Sequence, residues 1–320
     1  MLKRYDGNPI LKPIPENPWE SYMVYNCAAV EIQGKVYIIY RGQAEKNSVS
    51  KFGLAITTDG FNIDERLDQP IYQNVPDQPW EELGYEDPRA TVIGDRLYLC
   101  YTSYGFMPDL YERKQKETDP LEPAEYRQVQ IGMTSISISD FLARKWNWEQ
   151  NYLPLFRVDD KNCCLFPEKI NGKYMMCHRI PPNVWTACSD DTREWHDLNI
   201  IMQSRHDWEY YKMGTGAPPI KTDDGWLFIY HAVDNRFVYR LGLALLDLKD
   251  PRKVLLRGKV PFMEPETDYE KYGAVPNIVF TCGAVLRGDT VFLYYGGADT
   301  VVGVATITVP ECMDWLKKNS

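Results

Sequence analysis

Gly288-Asp289-Thr290-Val291-Phe292-Leu293-Tyr294-Tyr295 is a glycine turn feeding a strand of alternating aromatic and aliphatic residues. The pattern occurs four more times, in Gly34-Lys35-Val36-Tyr37-Ile38-Ile39-Tyr40, Gly94-Asp95-Arg96-Leu97-Tyr98-Leu99-Cys100-Tyr101, Gly172-Lys173-Tyr174-Met175-Met176-Cys177-His178 and Gly225-Trp226-Leu227-Phe228-Ile229-Tyr230-His231. A second strand of small and aliphatic residues follows each copy. These are Phe52-Gly53-Leu54-Ala55-Ile56, Gln130-Ile131-Gly132-Met133-Thr134, Val184-Trp185-Thr186-Ala187, Leu241-Gly242-Leu243-Ala244 and Val302-Gly303-Val304-Ala305. Asp59-Gly60, Asp190-Asp191 and Asp250-Pro251 close three of the units as turns. Five such units, spaced by roughly 50 to 80 residues, predict an all-β fold, a five-bladed β-propeller occupying 1–320 as a single domain. A β-sandwich would show shorter spacing and no repetition. Helical periodicity is confined to 310–319, which reads as a short C-terminal helix, and the Pro- and charge-rich stretch 105–127 is expected to lie over one face.

Composition narrows the function. Tyr 22, Trp 9 and Phe 11 suit a β protein whose flat rings can stack on sugars. A net charge of −9 argues against a nucleic-acid partner, and cations gathered in one pocket of so acidic a chain would point to an anionic ligand. The 8 cysteines fall largely inside apolar strands, at no zinc-knuckle spacing, and read as buried free thiols of a reducing compartment. The N-terminal Met1-Leu2-Lys3-Arg4-Tyr5-Asp6 leads into no apolar run and no stretch reaches 18 apolar residues, so a soluble, cytoplasmic protein without membrane contact is expected.

Glu86-Asp87-Pro88-Arg89 precedes the second of the five strands. A carboxylate beside a rigid proline and a fixed cation can aim one acid into a cleft, although a salt-bridged turn would explain four residues equally well. Propeller geometry adds weight, because strand ends converge on a central funnel. Arg41 follows the first of these strands, Tyr104 the second, His178-Arg179 the third, His231 the fourth and Asp299 the fifth. His178 and His231 have no partner at metal-ligand spacing, so no metal site is expected; His196 and His206 sit in polar loops. A glycosidase generally needs two carboxylates. Here one acid, Asp87, is well marked, and the other side is basic: Lys161, Arg179, Lys212 and His231. Such a cluster suits inorganic phosphate, already an anion and needing no deprotonation to attack, so phosphorolysis fits better than hydrolysis.

Taken together these residues resemble glycoside hydrolase family 130, the β-mannoside phosphorylases. The resemblance is carried, in order along the chain, by Asn8-Pro9-Ile10-Leu11, Tyr25-Asn26, Tyr40-Arg41-Gly42, Gly53-Leu54-Ala55 with Asp59-Gly60, Tyr85-Glu86-Asp87-Pro88-Arg89, Leu165-Phe166-Pro167-Glu168-Lys169-Ile170 and His178-Arg179. It continues through Lys212-Met213-Gly214-Thr215-Gly216-Ala217-Pro218-Pro219-Ile220, Gly225-Trp226-Leu227 with Tyr230-His231, Val275-Pro276-Asn277-Ile278-Val279-Phe280 and Tyr295-Gly296-Gly297-Ala298-Asp299-Thr300. The resemblance implies a five-bladed propeller and an inverting phosphorolysis of β-mannosides to α-mannose 1-phosphate, with Asp87 as general acid acting through the 3-hydroxyl of the departing mannosyl unit. It implies phosphate binding by Lys161, Arg179, Lys212 and His231. It places the mannosyl unit on Asn26, Arg41 and Asp299, with Lys51 and Arg89 as neighbours; Tyr104, placed at the funnel by its strand end, is a further candidate for sugar binding. Lys51 stands where many relatives have Arg.

No metal or organic cofactor is expected, with inorganic phosphate as co-substrate. Two rival expectations remain: an inverting β-mannosidase with Glu168 or Glu264 as base, and a non-catalytic sugar-binding propeller. The linkage (β-1,4 or β-1,2), the acceptor sugar and assembly into a homo-oligomer are not legible from these residues.

Overall fold

The computed structural model describes residues 2–46, 48–73, 78–106, 127–155 and 158–320. The stretch 105–127, expected over one face, falls almost wholly outside the described residues. Five antiparallel sheets form the five blades of a propeller. The first blade is built from Met23–Ile32, Lys35–Gln43, Lys51–Thr57 and Glu65–Arg66. Gly84–Ile93, Arg96–Phe106 and Arg127–Ser137 make the second, and Lys161–Leu165, Tyr174–Arg179, Val184–Ser189 and His196–Met202 the third. The fourth contains Lys212–Thr215, Ile220–Lys221, Trp226–Val233, Tyr239–Leu246 and Val254–Arg257. The fifth contains Val279–Arg287, Thr290–Gly297 and Val301–Thr308, and takes its outer strand, Lys3–Arg4, from the other end of the chain. Lys3 pairs with Thr306 and Arg4 with Ala305, so the ring is closed by backbone hydrogen bonds between the chain's two ends.

The repeated glycine-turn strands are the second strand of each blade, not the innermost. The inner strand of each blade lies before the turn, and its irregular backbone hides it from a reading of alternation.

The repeat also explains its own glycines. Tyr40, Tyr101, Tyr230 and Tyr295 pair across their sheets with Gly53, Gly132, Gly242 and Gly303. Each ring lies flat over its glycine: a Cβ on Gly242 would come within 2.2 Å of the Tyr230 ring, and one on Gly132 within 2.2 Å of Tyr101. The four hydroxyls reach fully buried glutamates, Glu20, Glu81, Glu209 and Glu270. Arg66, Arg257 and Arg4 pair with three of these carboxylates, and the Asn151 amide donates to Glu81 at 2.6 Å. A buried carboxylate is costly unless its oxygens are satisfied, and here each is. The third blade departs from the scheme, with Cys177 facing Thr186 at the corresponding position.

The expected C-terminal helix is Val309–Asn319, capped by Thr308, whose side chain accepts from the Glu311 N–H. It buries Cys312, Met313 and Leu316 against the fourth and fifth blades. Ile138–Leu142 and Asp268–Lys271 are two further short helices that the sequence pattern did not signal. All eight cysteines are free, seven of them buried. No helix among the described residues is long and apolar enough to cross a membrane.

Candidate active site

The inner strands carry one extra residue each in four of the blades, within Tyr25–Ala28, Glu86–Arg89, Lys161–Cys164 and Thr281–Gly283. Such bulges turn a side chain out of the sheet face. Asn26, Asp87 and Asn162 occupy three of them with φ of 42°, 53° and 58°, a left-handed conformation that Asn and Asp tolerate better than most residues. The local chemistry of the sequence therefore permits the kink that brings Asp87 to the axis.

Asp87 is 8 % exposed, and its Oδ1 accepts from Asn26 Nδ2 at 2.9 Å and Arg41 Nη1 at 3.2 Å. Arg41 also donates to Glu86 at 2.7 Å, and Glu86 lies 3.7 Å from Lys161 Nζ. Beneath the acid, fully buried Arg89 donates to the carbonyls of Asp87 (3.0 Å), Gly216 (2.8 Å) and Thr215 (2.9 Å). It ties the second blade to the fourth and holds the Asp87 backbone from below, with its donors committed to carbonyls.

Charge is distributed unevenly. Burial would raise the Asp87 carboxyl, but Arg41, Arg89, Asn26 and Lys161 outweigh it and hold Asp87 below its ordinary value. Asp299 lacks that support: burial first, then the Asp87 charge, push it up to about 7 against the pull of Arg41. Asp87 is thus the more acidic of the two carboxyls, and Asp299 the one that takes up a proton first as pH falls toward neutrality. Tyr25, Arg41, Glu86, Tyr104 and Asp299 line one cavity of about 690 Å³.

On the other side stand the cations. Arg179 is 9 % exposed, and its buried Nε has no partner; no carboxylate lies within ion-pair distance of Arg179 or Lys212 among the described residues. Burial, with Arg179 and Lys161 beside it, lowers Lys212 to about 8. His231 is buried against Phe280, with ring centroids 4.5 Å apart. Burial, then Arg179, Arg89 and Lys212, hold it well below its usual range, so it is neutral. An ammonium is needed to attract an anion, so an anion seated beside Lys212 is expected to bind more weakly as pH passes about 8 and Lys212 loses its proton. Titrating inorganic phosphate into the protein over roughly pH 7 to 9.5 checks this; an affinity constant over that range would contradict it.

The structure thus brings together Asn26, Arg41, Asp87, Tyr104 and Asp299 on one side and Lys161, Arg179, Lys212 and His231 on the other. Lys51 is exposed at the start of its strand and is not among the cavity's lining residues. His178 does not open into the funnel: it is fully buried, its Nδ1 2.5 Å from Asp160. Glu168, proposed as a base for water, is paired with Lys221 at 2.6 Å, and Glu264 with Arg240 at 3.0 Å, both through exposed carboxylates. Sequence reasoning did not place Glu86 between Arg41 and Lys161, or Asp160 against His178 and the Arg179 N–H, although each stands next to a residue it singled out. Among the described residues, no three His, Cys, Asp or Glu side chains are grouped to hold a metal ion.

Known proteins match this chain along nearly its whole length. The profile of glycoside hydrolase family 130, described as beta-1,4-mannooligosaccharide phosphorylase, matches residues 2–318. A 1,2-beta-oligomannan phosphorylase of Thermoanaerobacter sp. (strain X514) is 42% identical over 317 residues, covering 97% of this chain and 98% of the relative. A beta-1,2-mannobiose phosphorylase of the same organism is 41% identical over 319 residues, covering 96% and 97%. The beta-1,2-mannobiose phosphorylase of Listeria innocua, solved with beta-1,2-mannobiose, superposes with a TM-score of 0.82 at 25% identity, covering 99% of both chains. With these matches covering nearly its whole length, the chain belongs to glycoside hydrolase family 130 and is a mannoside phosphorylase.

Proposed function

We propose that the protein is an inverting phosphorylase of β-1,2-linked mannosides that yields α-mannose 1-phosphate. The observation that carries the phosphate half is the pair Arg179, buried, and Lys212, half-buried, two cations without a carboxylate at ion-pair distance among the described residues. Gathered positive charge with free donors and no carboxylate facing them is costly, and a phosphate dianion held by the Arg179 fork, Lys161 and Lys212 would offset it. Neutral His231 can add a hydrogen bond.

In this reading Asn26, Arg41, Tyr104 and Asp299 hold the non-reducing mannosyl unit, and Asp87 protonates the leaving oxygen through the sugar's 3-hydroxyl. An acid that is anionic in the free enzyme needs a proton before it can act. Part of what depresses Asp87 is Lys161, and phosphate beside that ammonium would cancel its field and raise the carboxyl. Phosphate would then serve both as nucleophile, entering from the face opposite the leaving group, and as the ligand that arms the acid. Arg89 works from below, as a clamp on the acid's backbone. No metal or organic cofactor takes part in this scheme.

The β-1,2 linkage is supported by the names of the two relatives at 42% and 41% identity, against the β-1,4 description of the family profile. Turnover of β-1,2-mannobiose, β-1,4-mannobiose and β-1,4-mannosyl-glucose with phosphate tests it. The expected kcat/KM for the β-1,2 disaccharide exceeds the others by at least about tenfold, some 1.4 kcal/mol of transition-state discrimination. A β-1,4 substrate turned over faster would reassign the linkage.

A further inference from the structure

We propose that Asp160 is the positioning residue of the phosphate site, acting through Arg179; the inference rests on the phosphorylase reading above. Asp160 immediately precedes Lys161, at the start of the third blade's inner strand, and is 1 % exposed. Its own N–H donates to the Val129 carbonyl of the second blade at 3.0 Å. Oδ2 lies 2.5 Å from His178 Nδ1, and Oδ1 accepts the Arg179 backbone N–H at 3.1 Å.

One carboxylate therefore fixes both strand ends that present cations. Lys161 follows it covalently, and Arg179, paired across the bulge with Lys161, hangs from its hydrogen bond. A direct ion pair to the Arg179 guanidinium would occupy the donors that an anion needs. A carboxylate placed one layer behind, bonded to the backbone and to a histidine, compensates positive charge without occupying those donors. Two further observations agree with this. The Arg179 Nε and the His178 Nε2 are both enclosed and unpartnered, so no side-chain acceptor among the described residues sets the guanidinium's direction. What holds it is the backbone behind it, and that backbone is held by Asp160.

The test is Asp160→Asn beside Arg179→Ala, with KM for phosphate and for mannoside measured separately and thermal unfolding followed for each. The amide keeps the shape but removes the charge. The expected result for Asp160→Asn is a phosphate KM raised by roughly tenfold, the scale of effect outer partners have on bound ions. The mannoside KM should stay within about twofold, with near-normal unfolding. An unchanged phosphate KM in folded Asp160→Asn overturns the proposal, and so do both KM values rising together with a lowered Tm, which would mean a merely structural role. If Asp160→Asn does not fold, His178→Gln breaks the same pair from the other side and is held to the same split. If Arg179→Ala itself leaves the phosphate KM unchanged, the phosphate site has been misplaced and the reading fails with the inference. If only Asp160→Asn is silent, the reading stands and the inference falls.

Discussion

Asp87→Asn is expected to lose on the order of 10³-fold in kcat, roughly 4 kcal/mol of transition-state stabilisation, while remaining folded. The side chain accepts two hydrogen bonds, and both survive the exchange: an amide oxygen can still accept from Asn26 Nδ2 and Arg41 Nη1, now 2.9 Å and 3.2 Å from Oδ1. The Arg89 clamp binds the Asp87 carbonyl rather than its side chain and is untouched. What disappears is the transferable proton. The mannoside KM should therefore move little, and circular dichroism should be unchanged. Near-normal turnover would remove Asp87 as the acid and direct attention to Asp299, the carboxyl that holds a proton near neutrality.

Arg179→Ala is expected to raise the phosphate KM by about 100-fold, close to 3 kcal/mol, with a much smaller effect on the mannoside KM. The guanidinium offers phosphate two parallel donors in a largely dehydrated setting, where charge-assisted hydrogen bonds are strongest. Removing it leaves Lys161, already 3.7 Å from Glu86, and Lys212, which loses its charge near pH 8. Arg179→Lys should fall between the two, because a point charge remains but the fork does not. Equal increases in both KM values would place Arg179 on the sugar instead.

The fold was legible where glycine turns and period-2 alternation coincide, as in the five second strands with their small-residue partners. Tyr40 over Gly53 and Tyr230 over Gly242 show why: ring and glycine pack as a pair, so an aromatic late in one strand and a glycine in the next recur together in four of the five units. The inner strands were not legible, because the bulges at Asn26, Asp87 and Asn162 interrupt alternation where the site is built. A further repeat was available. Trp19-Glu20, Trp80-Glu81 and Trp208-Glu209 each precede an inner strand, and their glutamates become the buried anchors of the blade tyrosines.

The site was legible in its charges but not in its depth. Asp87, Arg179 and Lys212 stand out as residue types in a recognisable pattern. Nothing in the sequence says that His178 turns back onto Asp160, or that Arg89 lies beneath the acid with three carbonyls around it. Those facts follow from which strand faces which, and that is set by register.

The central claim is that phosphate, not water, attacks the mannosyl unit. Incubating the purified protein with β-1,2-mannobiose, with and without inorganic phosphate, and following products by phosphorus and proton NMR tests it most directly. The predicted result is α-mannose 1-phosphate formed only when phosphate is present, with the anomer inverted. Free mannose released at the same rate without phosphate would contradict the account and leave the cations around Arg179 and Lys212 without a ligand.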